Sequence, residues 1–197
     1  MLREIGKPNP IVGALQPGYL PWAGFFDQVF HADLFILYDE LDYTRRSWRN
    51  RNRIKGPHGP PWRTVPVGAR SGQPIHQVEI QRGRNWRETH WKTIEHCYAR
   101  APFFSVYRDA FREIYQEEWT NLCELDVRLI RTLLHAFGIR TEVRLSSRLG
   151  LEKGFRATNP RDHVSTRRVV HFMKVLGAKR FLEGQAGKTY LREEVLR

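Results

Sequence analysis

The chain of 197 residues has 41% hydrophobic and 12% aromatic residues, enough apolar material for one packed core, which excludes global disorder. Lys and Arg number 33 against 21 Asp and Glu, so the formal charge is +12 and anionic partners are expected. No apolar run approaches the roughly 20 residues of a membrane span. The opening MLREIGKPNP is unlike a secretory signal, and a cytoplasmic protein is the expectation. Cys97 and Cys123 suit neither a disulfide framework nor a metal set and read as buried thiols.

In chain order, IVGAL (11–15) reads as a buried strand with QPG as the turn after it. Pro21 suits the first position of a helix, and Trp22, Phe25, Phe26, Val29 and Phe30 recur at helical spacing. LFILYDE (34–40) is again strand-like, which completes a strand, helix, strand unit of the ~30-residue size of a parallel crossover. Residues 43–61 are crowded with Arg and Lys, then with Gly and Pro, as in a basic loop or short edge strand. WRTVPVG (62–68) regains a β pattern. Trp86, His90, Ile94 and Tyr98 then mark one face of a helix that Pro102 should end. Phe103, Tyr107, Ala110, Phe111, Ile114 and Tyr115 form a second stripe. Leu122, Leu125, Leu129, Leu133 and Phe137 form a third, with Gly138 as its C-terminal stop. Ile139, Thr141, Val143 and Leu145 alternate as a strand with one wet face, and residues 146–164 read as a loop. Ser165 is the expected N-cap of a helix, after which KRFLEG forms a last strand opening into GQAGKTYL. This order predicts an α/β layered fold with a partly parallel, Rossmann-like sheet flanked by helices, a helical middle section, and a single domain over 1–197.

Ligands of open α/β sheets bind beyond the carboxyl ends of the strands, and three segments leave predicted strands there. In QPGYLPW, Gln16 offers an amide, Gly18 permits unusual backbone angles, and two prolines stiffen Tyr19 and Trp22 as stacking surfaces. The alternative is that Tyr19, Leu20 and Trp22 staple the helix to the sheet. The second segment sets Asp39 and Asp42 before Arg45, Arg46, Arg49, Arg51, Arg53 and Lys55. In an extended conformation Asn50 and Asn52 alternate with the arginines, so one cationic edge suited to phosphate or carboxylate results. Against this stands the common outcome that a basic run is simply solvated. The third segment, GQAGKT, lacks the P-loop spacing because Leu182 stands where the first glycine belongs. Gly184 and Gly187, with Tyr190 after them, can still offer backbone N–H groups to an anion. No pair of the eight histidines has metal-ligand spacing, so neither metal nor cofactor is expected. His90, between Trp86, Trp91 and Ile94, is either a satisfied core histidine or an acid-base group.

The blocks QPGYLPWAGFFDQVFHADLFILYDELDYTRRSWRNRNRIK, WRTVPV, NWRETHWKTIEHCYARAPFF and LGAKRFLEGQAGKTYL occur in the order found in the WbqC family of bacterial proteins, which this chain resembles from about Val12 to Tyr190. The resemblance implies a role beside O-antigen and other surface polysaccharide genes, with glycine or aminoacyl transfer to a sugar suggested for the family. Its recurrent positions fall on Gln16, Pro17, Tyr19, Leu20, Pro21, Trp22, Gly24, Asn50, Arg51, Asn52, Ile54, Lys55, Thr64, Val65, Pro66, Trp86, His90, Gly184, Gly187 and Tyr190. Two departures stand out. Leu15 occupies a position where many relatives have His or Ser, and the family's tail rich in His, Pro and Tyr does not follow before Arg197, as expected of a shortened member or a truncated form, which an incomplete sheet or site would make inactive.

The expected function is therefore a cytosolic group transferase acting on an anionic small molecule such as a nucleotide-sugar or acyl donor. Asn50 to Lys55 would hold phosphates, Tyr19 and Trp22 would stack on a ring, and His90 or Asp39 would move the proton. An aminoacyl-tRNA donor would also account for the positive charge. The competing expectations are a non-enzymatic nucleic-acid-binding protein, suggested by arginines interleaved with Trp48 and Trp62, and an inactive scaffold of a polysaccharide assembly.

Overall fold

A computed structural model describes residues 7–56, 59–70, 72–83, 85–156 and 163–192. Its strands are β1 (Ile11–Leu15), β2 (Leu34–Leu37), β3 (Arg51–Arg53), β4 (Trp62–Thr64), β5 (Glu142–Leu145) and β6 (Arg180–Leu182). Its helices are α1 (Ala23–His31), α2 (Trp86–Tyr98), α3 (Phe104–Gln116), α4 (Leu122–Ala136), α5 (Ser146–Leu149) and α6 (Val164–Leu176). The protein is thus α/β, and its residues group into two compact units. The first comprises the chain up to Leu15, Ala23–Tyr38 and everything from Arg140; the second comprises Gln16–Trp22 and Asp39–Ile139.

The first unit is built on a four-stranded parallel sheet in the order β5-β2-β1-β6. All of LFIL in β2 is buried, as expected of a central strand covered on both faces. Gly13 of β1 pairs with Phe35 of β2, and a Cβ there would lie 2.8 Å from the Phe35 ring, so only glycine lets that ring lie across the strand. From α1, Phe25, Phe26 and Val29 are buried; from α6, Thr166, Val169, Phe172, Met173 and Leu176 follow the i, i+3, i+7 pattern of a core-facing stripe.

Between β2 and β5 the chain spends residues 39–139 on the second unit, and between β1 and α1 it contributes Gln16–Trp22 to the same unit. Here β3 and β4 form an antiparallel hairpin with Arg51 opposite Thr64 and Arg53 opposite Trp62. Helices α2, α3 and α4 bring Trp86, Ile94, Ile114, Tyr115, Leu122, Leu125 and Leu129 into one cluster with Ile54, Val65, Ile75 and Val78. The Asn121 side chain caps α4 by accepting from the Glu124 N–H. Gly138, at φ +67°, stops α4 as its position predicts.

Several boundaries differ from the expectation for local reasons. The helix expected from Pro21 starts at Ala23, and the one expected to be capped by Ser165 starts at Val164, with His163 in the left-handed region before it. Part of the loop expected over 146–164 is the short helix α5, closed by Gly150 at φ +63° and anchored by the buried Leu151. Four residues are too few to show a helical period, which is why the segment reads as a loop in sequence. The β patterns over 62–68 and 139–145 shrink to β4 and β5 because continuous pairing is confined to them, Val67 making an isolated bridge to Ile80. Cys123 is buried, whereas Cys97 is half-buried.

Candidate functional site

The turn Gln16–Trp22 is held by close backbone contact. The Tyr19 N–H donates to the carbonyls of Trp48 and Arg49, both at 3.2 Å, and Gly18 lies so close to Trp48 that a Cβ would stand 2.9 Å from its carbonyl oxygen. Leu20 adopts φ +48°, a conformation disfavoured for a residue with a side chain. It is fastened by the Asn52 amide, which donates to the carbonyls of Leu20 at 2.6 Å and Tyr19 at 3.3 Å. The alternation expected along β3 is present: Asn52 faces the turn, while the guanidiniums of Arg51 and Arg53 lie 4.5 and 4.8 Å over the Trp62 ring. Trp62 in turn packs against Trp48 with ring centroids 5.2 Å apart.

Tyr19 is fully buried, so its ring offers no face to solvent in this conformation. Its hydroxyl lies 2.8 Å from His90 Nδ1 on α2 and 2.5 Å from the Tyr115 hydroxyl on α3. Burial, seconded by Arg63, lowers the His90 pKa to about 4, so the imidazole is neutral at pH 7. The result is a chain of hydrogen bonds running Tyr115, Tyr19, His90 that ties the turn to α2 and α3.

Asp126 of α4 joins this buried region. It is fully buried, and neither carboxyl oxygen has a hydrogen-bond partner among the described residues. Burial raises its pKa well above the usual carboxylate range, opposed only by Arg49, and the same burial raises Tyr19 and Tyr115. The sequence signal was available: Asp126 is a charged residue inside the apolar stripe of Leu122, Leu125 and Leu129.

Arginines gather at a cleft of about 450 Å³ whose walls include Tyr43, Arg45, Arg46, Asn50, Arg51, Thr64 and Gln81. Among the described residues, three cations and no carboxylate line it. The Arg45 guanidinium donates to the Ala69 carbonyl at 3.1 Å and that of Arg51 to the Arg46 carbonyl at 2.5 Å, which fixes two of the three side chains. Arg46 itself sits at φ +56°, a second strained residue held by a neighbouring side chain. Asn50 is buried and its amide N–H donates to Val65, while Asn50 Oδ1 and Arg51 Nε are buried with no partner among the described residues. Arg45 and Arg46 belong to the basic run without standing out within it, and only folding singles them out.

Asp39, Gln16, Trp22 and Lys55 also belong to the second unit. Asp39 is buried just beyond β2, with its backbone carbonyl accepting from His76 N–H and lying 2.8 Å from His76 Nδ1. Gln16 is half-buried, its amide donating to the Asp42 carbonyl at 3.3 Å. Trp22 is 67% exposed, and Lys55 is exposed with its N–H on the Tyr98 hydroxyl. Gly184, Gly187 and Tyr190 belong to the first unit. There the Gly184 N–H is already donated to the Glu183 carboxylate at 2.9 Å, the Gly187 N–H to the Gly184 carbonyl, and the Tyr190 hydroxyl to Glu183 at 2.6 Å. A Cβ on Gly187 would overlap the Glu183 side chain at 2.0 Å, so glycine is required for this internal closure. Among the described residues no cluster of His, Cys, Asp and Glu has the form of a metal site, and no helix is long and apolar enough to cross a membrane.

No solved structure matches the chain. It is 35% identical over 187 residues to an uncharacterized protein of Mycobacterium tuberculosis strain H37Rv, Rv1507c, covering 93% of this chain and 76% of that one. The model of the WbqC-like protein family matches residues 16–197, a span that begins at the turn and takes in the arginine cleft and the buried histidine. On that match the chain belongs to the WbqC-like protein family.

Proposed function

We propose that this protein is a group transferase that holds a phosphate-bearing substrate, such as a nucleotide-linked sugar, in the cleft of Arg45, Arg46 and Arg51. The observation that carries the reading is the composition of that cleft: three guanidiniums, no carboxylate, and a buried Arg51 Nε without a partner among the described residues. Guanidinium forks match phosphate oxygens in geometry as well as charge. The reaction that suits the family suggestion is aminoacyl transfer to the sugar. The sugar amine or hydroxyl attacks the carbonyl carbon of an aminoacyl ester, a new amide or ester bond forms, the old ester C–O bond breaks, and the nucleophile's proton ends on the departing alcohol. Holding the phosphates fixes the acceptor for that attack. His90 and Asp39, both buried, enter as positioning residues; His90 keeps the turn in place through Tyr19.

A calorimetric titration of the full chain with inorganic pyrophosphate and with a uridine diphosphate sugar tests this. Saturable binding is expected, weakened about tenfold or more by Arg51→Ala or Arg46→Ala. Arg131→Ala, which removes the same charge from the exposed side of α4, should leave it unchanged. Equal weakening by all three variants would reduce the cleft to bulk charge and overturn the reading. The second reading, single-stranded nucleic-acid binding, is favoured by the Trp48–Trp62 pair with Arg51 and Arg53 over Trp62. It predicts oligonucleotide binding that falls steeply with salt and is lost in Trp48→Ala.

A further inference from the structure

We propose that the cleft of Arg45, Arg46 and Arg51 selects a phosphate ester with an uncharged hydroxyl group beside its phosphate, as in a sugar phosphate, and that Asn50 reads that hydroxyl. The inference rests on the phosphate reading above and narrows it from phosphates in general to one class of ester. Its starting point is a mismatch in the cleft wall. Asn50 lines the cleft and is only 6% exposed, and its Oδ1 is buried with no hydrogen-bond partner among the described residues. A buried acceptor left unmatched is costly, and in the wall of a cleft a ligand's donor can match it.

The orientation of this amide is fixed by chemistry. Asn50 Nδ2 donates to the Val65 carbonyl at 2.8 Å, and a carbonyl takes only a donor, so the two ends of the amide cannot be exchanged. The Asn50 main chain is tied to the same residue, its carbonyl accepting from the Val65 N–H at 2.7 Å. The next residue carries the complementary orphan. Arg51 Nε, a donor, is buried with no partner among the described residues, while another N–H of that guanidinium goes to the Arg46 carbonyl at 2.5 Å. A phosphate dianion only accepts hydrogen bonds, so it satisfies guanidiniums and leaves Asn50 unmatched. A hydroxyl donates as well as accepts, and so fits an acceptor and a donor on adjacent residues of one wall. An ammonium also donates, but three guanidiniums with no carboxylate among the described lining residues repel it.

The test is calorimetric titration of the full chain with three phosphate esters. Glucosyl phosphate carries ring hydroxyls, cyclohexyl phosphate has none, and aminocyclohexyl phosphate has an ammonium as its only ring donor. Glucosyl phosphate is expected to bind about tenfold or more tightly than cyclohexyl phosphate, and aminocyclohexyl phosphate no more tightly than cyclohexyl phosphate. Asn50→Leu should bring glucosyl phosphate down to the affinity of cyclohexyl phosphate and leave cyclohexyl phosphate unchanged. A damaged fold would not give that split, because damage weakens all three ligands alike. Where a lowered melting temperature shows that Asn50→Leu does not fold, the order of the three ligands on the parent protein decides. Equal binding of glucosyl and cyclohexyl phosphate overturns the proposal and leaves water as the partner of Asn50. If Arg46→Ala still weakens both in that case, the phosphate reading stands, so the two failures are distinguishable. Aminocyclohexyl phosphate binding as tightly as glucosyl phosphate overturns the proposal, and so does a folded Asn50→Leu protein that keeps the hydroxyl preference.

Discussion

His90 titrates in surroundings that favour its neutral form, and the consequence is a pH dependence of stability with a defined sign. In the folded chain its pKa is lowered to about 4 by burial and then by Arg63; in the unfolded chain it returns near 6.5. Between these values the unfolded state binds the extra proton, so stability is complete above about pH 6.5 and is lost as pH falls toward 4, by on the order of 3 kcal/mol from this group. His90→Asn should be less stable than the parent at pH 7.5 and should lose less between pH 6.5 and 4. Denaturant unfolding at several pH values measures both, and parallel pH profiles for the two proteins would refute the assignment. The helical spacing of Trp86, His90, Ile94 already places the histidine on the buried face of α2 in sequence. That its partner is Tyr19 could not be read there, because the two are 71 positions apart and no local pattern links a turn to a helix.

At the scale of elements, the turn before α1 and the hairpin β3–β4 make one construction. Gly18→Ala tests it, since the new Cβ would stand 2.9 Å from the Trp48 carbonyl, and the Tyr19 N–H bonds to Trp48 and Arg49 resist any shift. A loss of about 1–3 kcal/mol in chemical denaturation is expected, as for other overpacked sites. A Gly18→Ala variant as stable as the parent would show that the turn can relax. The sequence suggested unusual backbone angles at Gly18 and an alternating ribbon over Asn50 to Arg53; the alternation is present, but Gly18 has no left-handed φ, and it is the close Trp48 carbonyl that requires a glycine there. The sequence did not show why they coexist: the glycine admits the ribbon's backbone, and Asn52 holds the strained Leu20 in place.

For the whole molecule, the interleaving of the two units sets what can be removed. The second unit takes Tyr19, Leu20 and their neighbours from the stretch between β1 and α1, so residues 39–139 alone lack the partner of His90, Tyr115 and Asn52. That fragment is expected to lose the cooperative unfolding transition of the full chain, as followed by circular dichroism, and to regain part of it when a peptide of residues 14–24 is added. A fragment that unfolds cooperatively by itself would make the turn an accessory. The core positions of α4, the buried LFIL of β2 and the strand, helix, strand order at the start were legible because hydrophobic period and buried runs are local properties of the chain. The α/β class and the basic character followed from the same local reading. Which arginines share a cleft, that Glu183 occupies the glycine turn's amide, and that Asp126 lies buried without a hydrogen-bond partner among the described residues were decided by tertiary structure alone. These depend on contacts between residues far apart in sequence, and such contacts exist only once the chain has closed its loops.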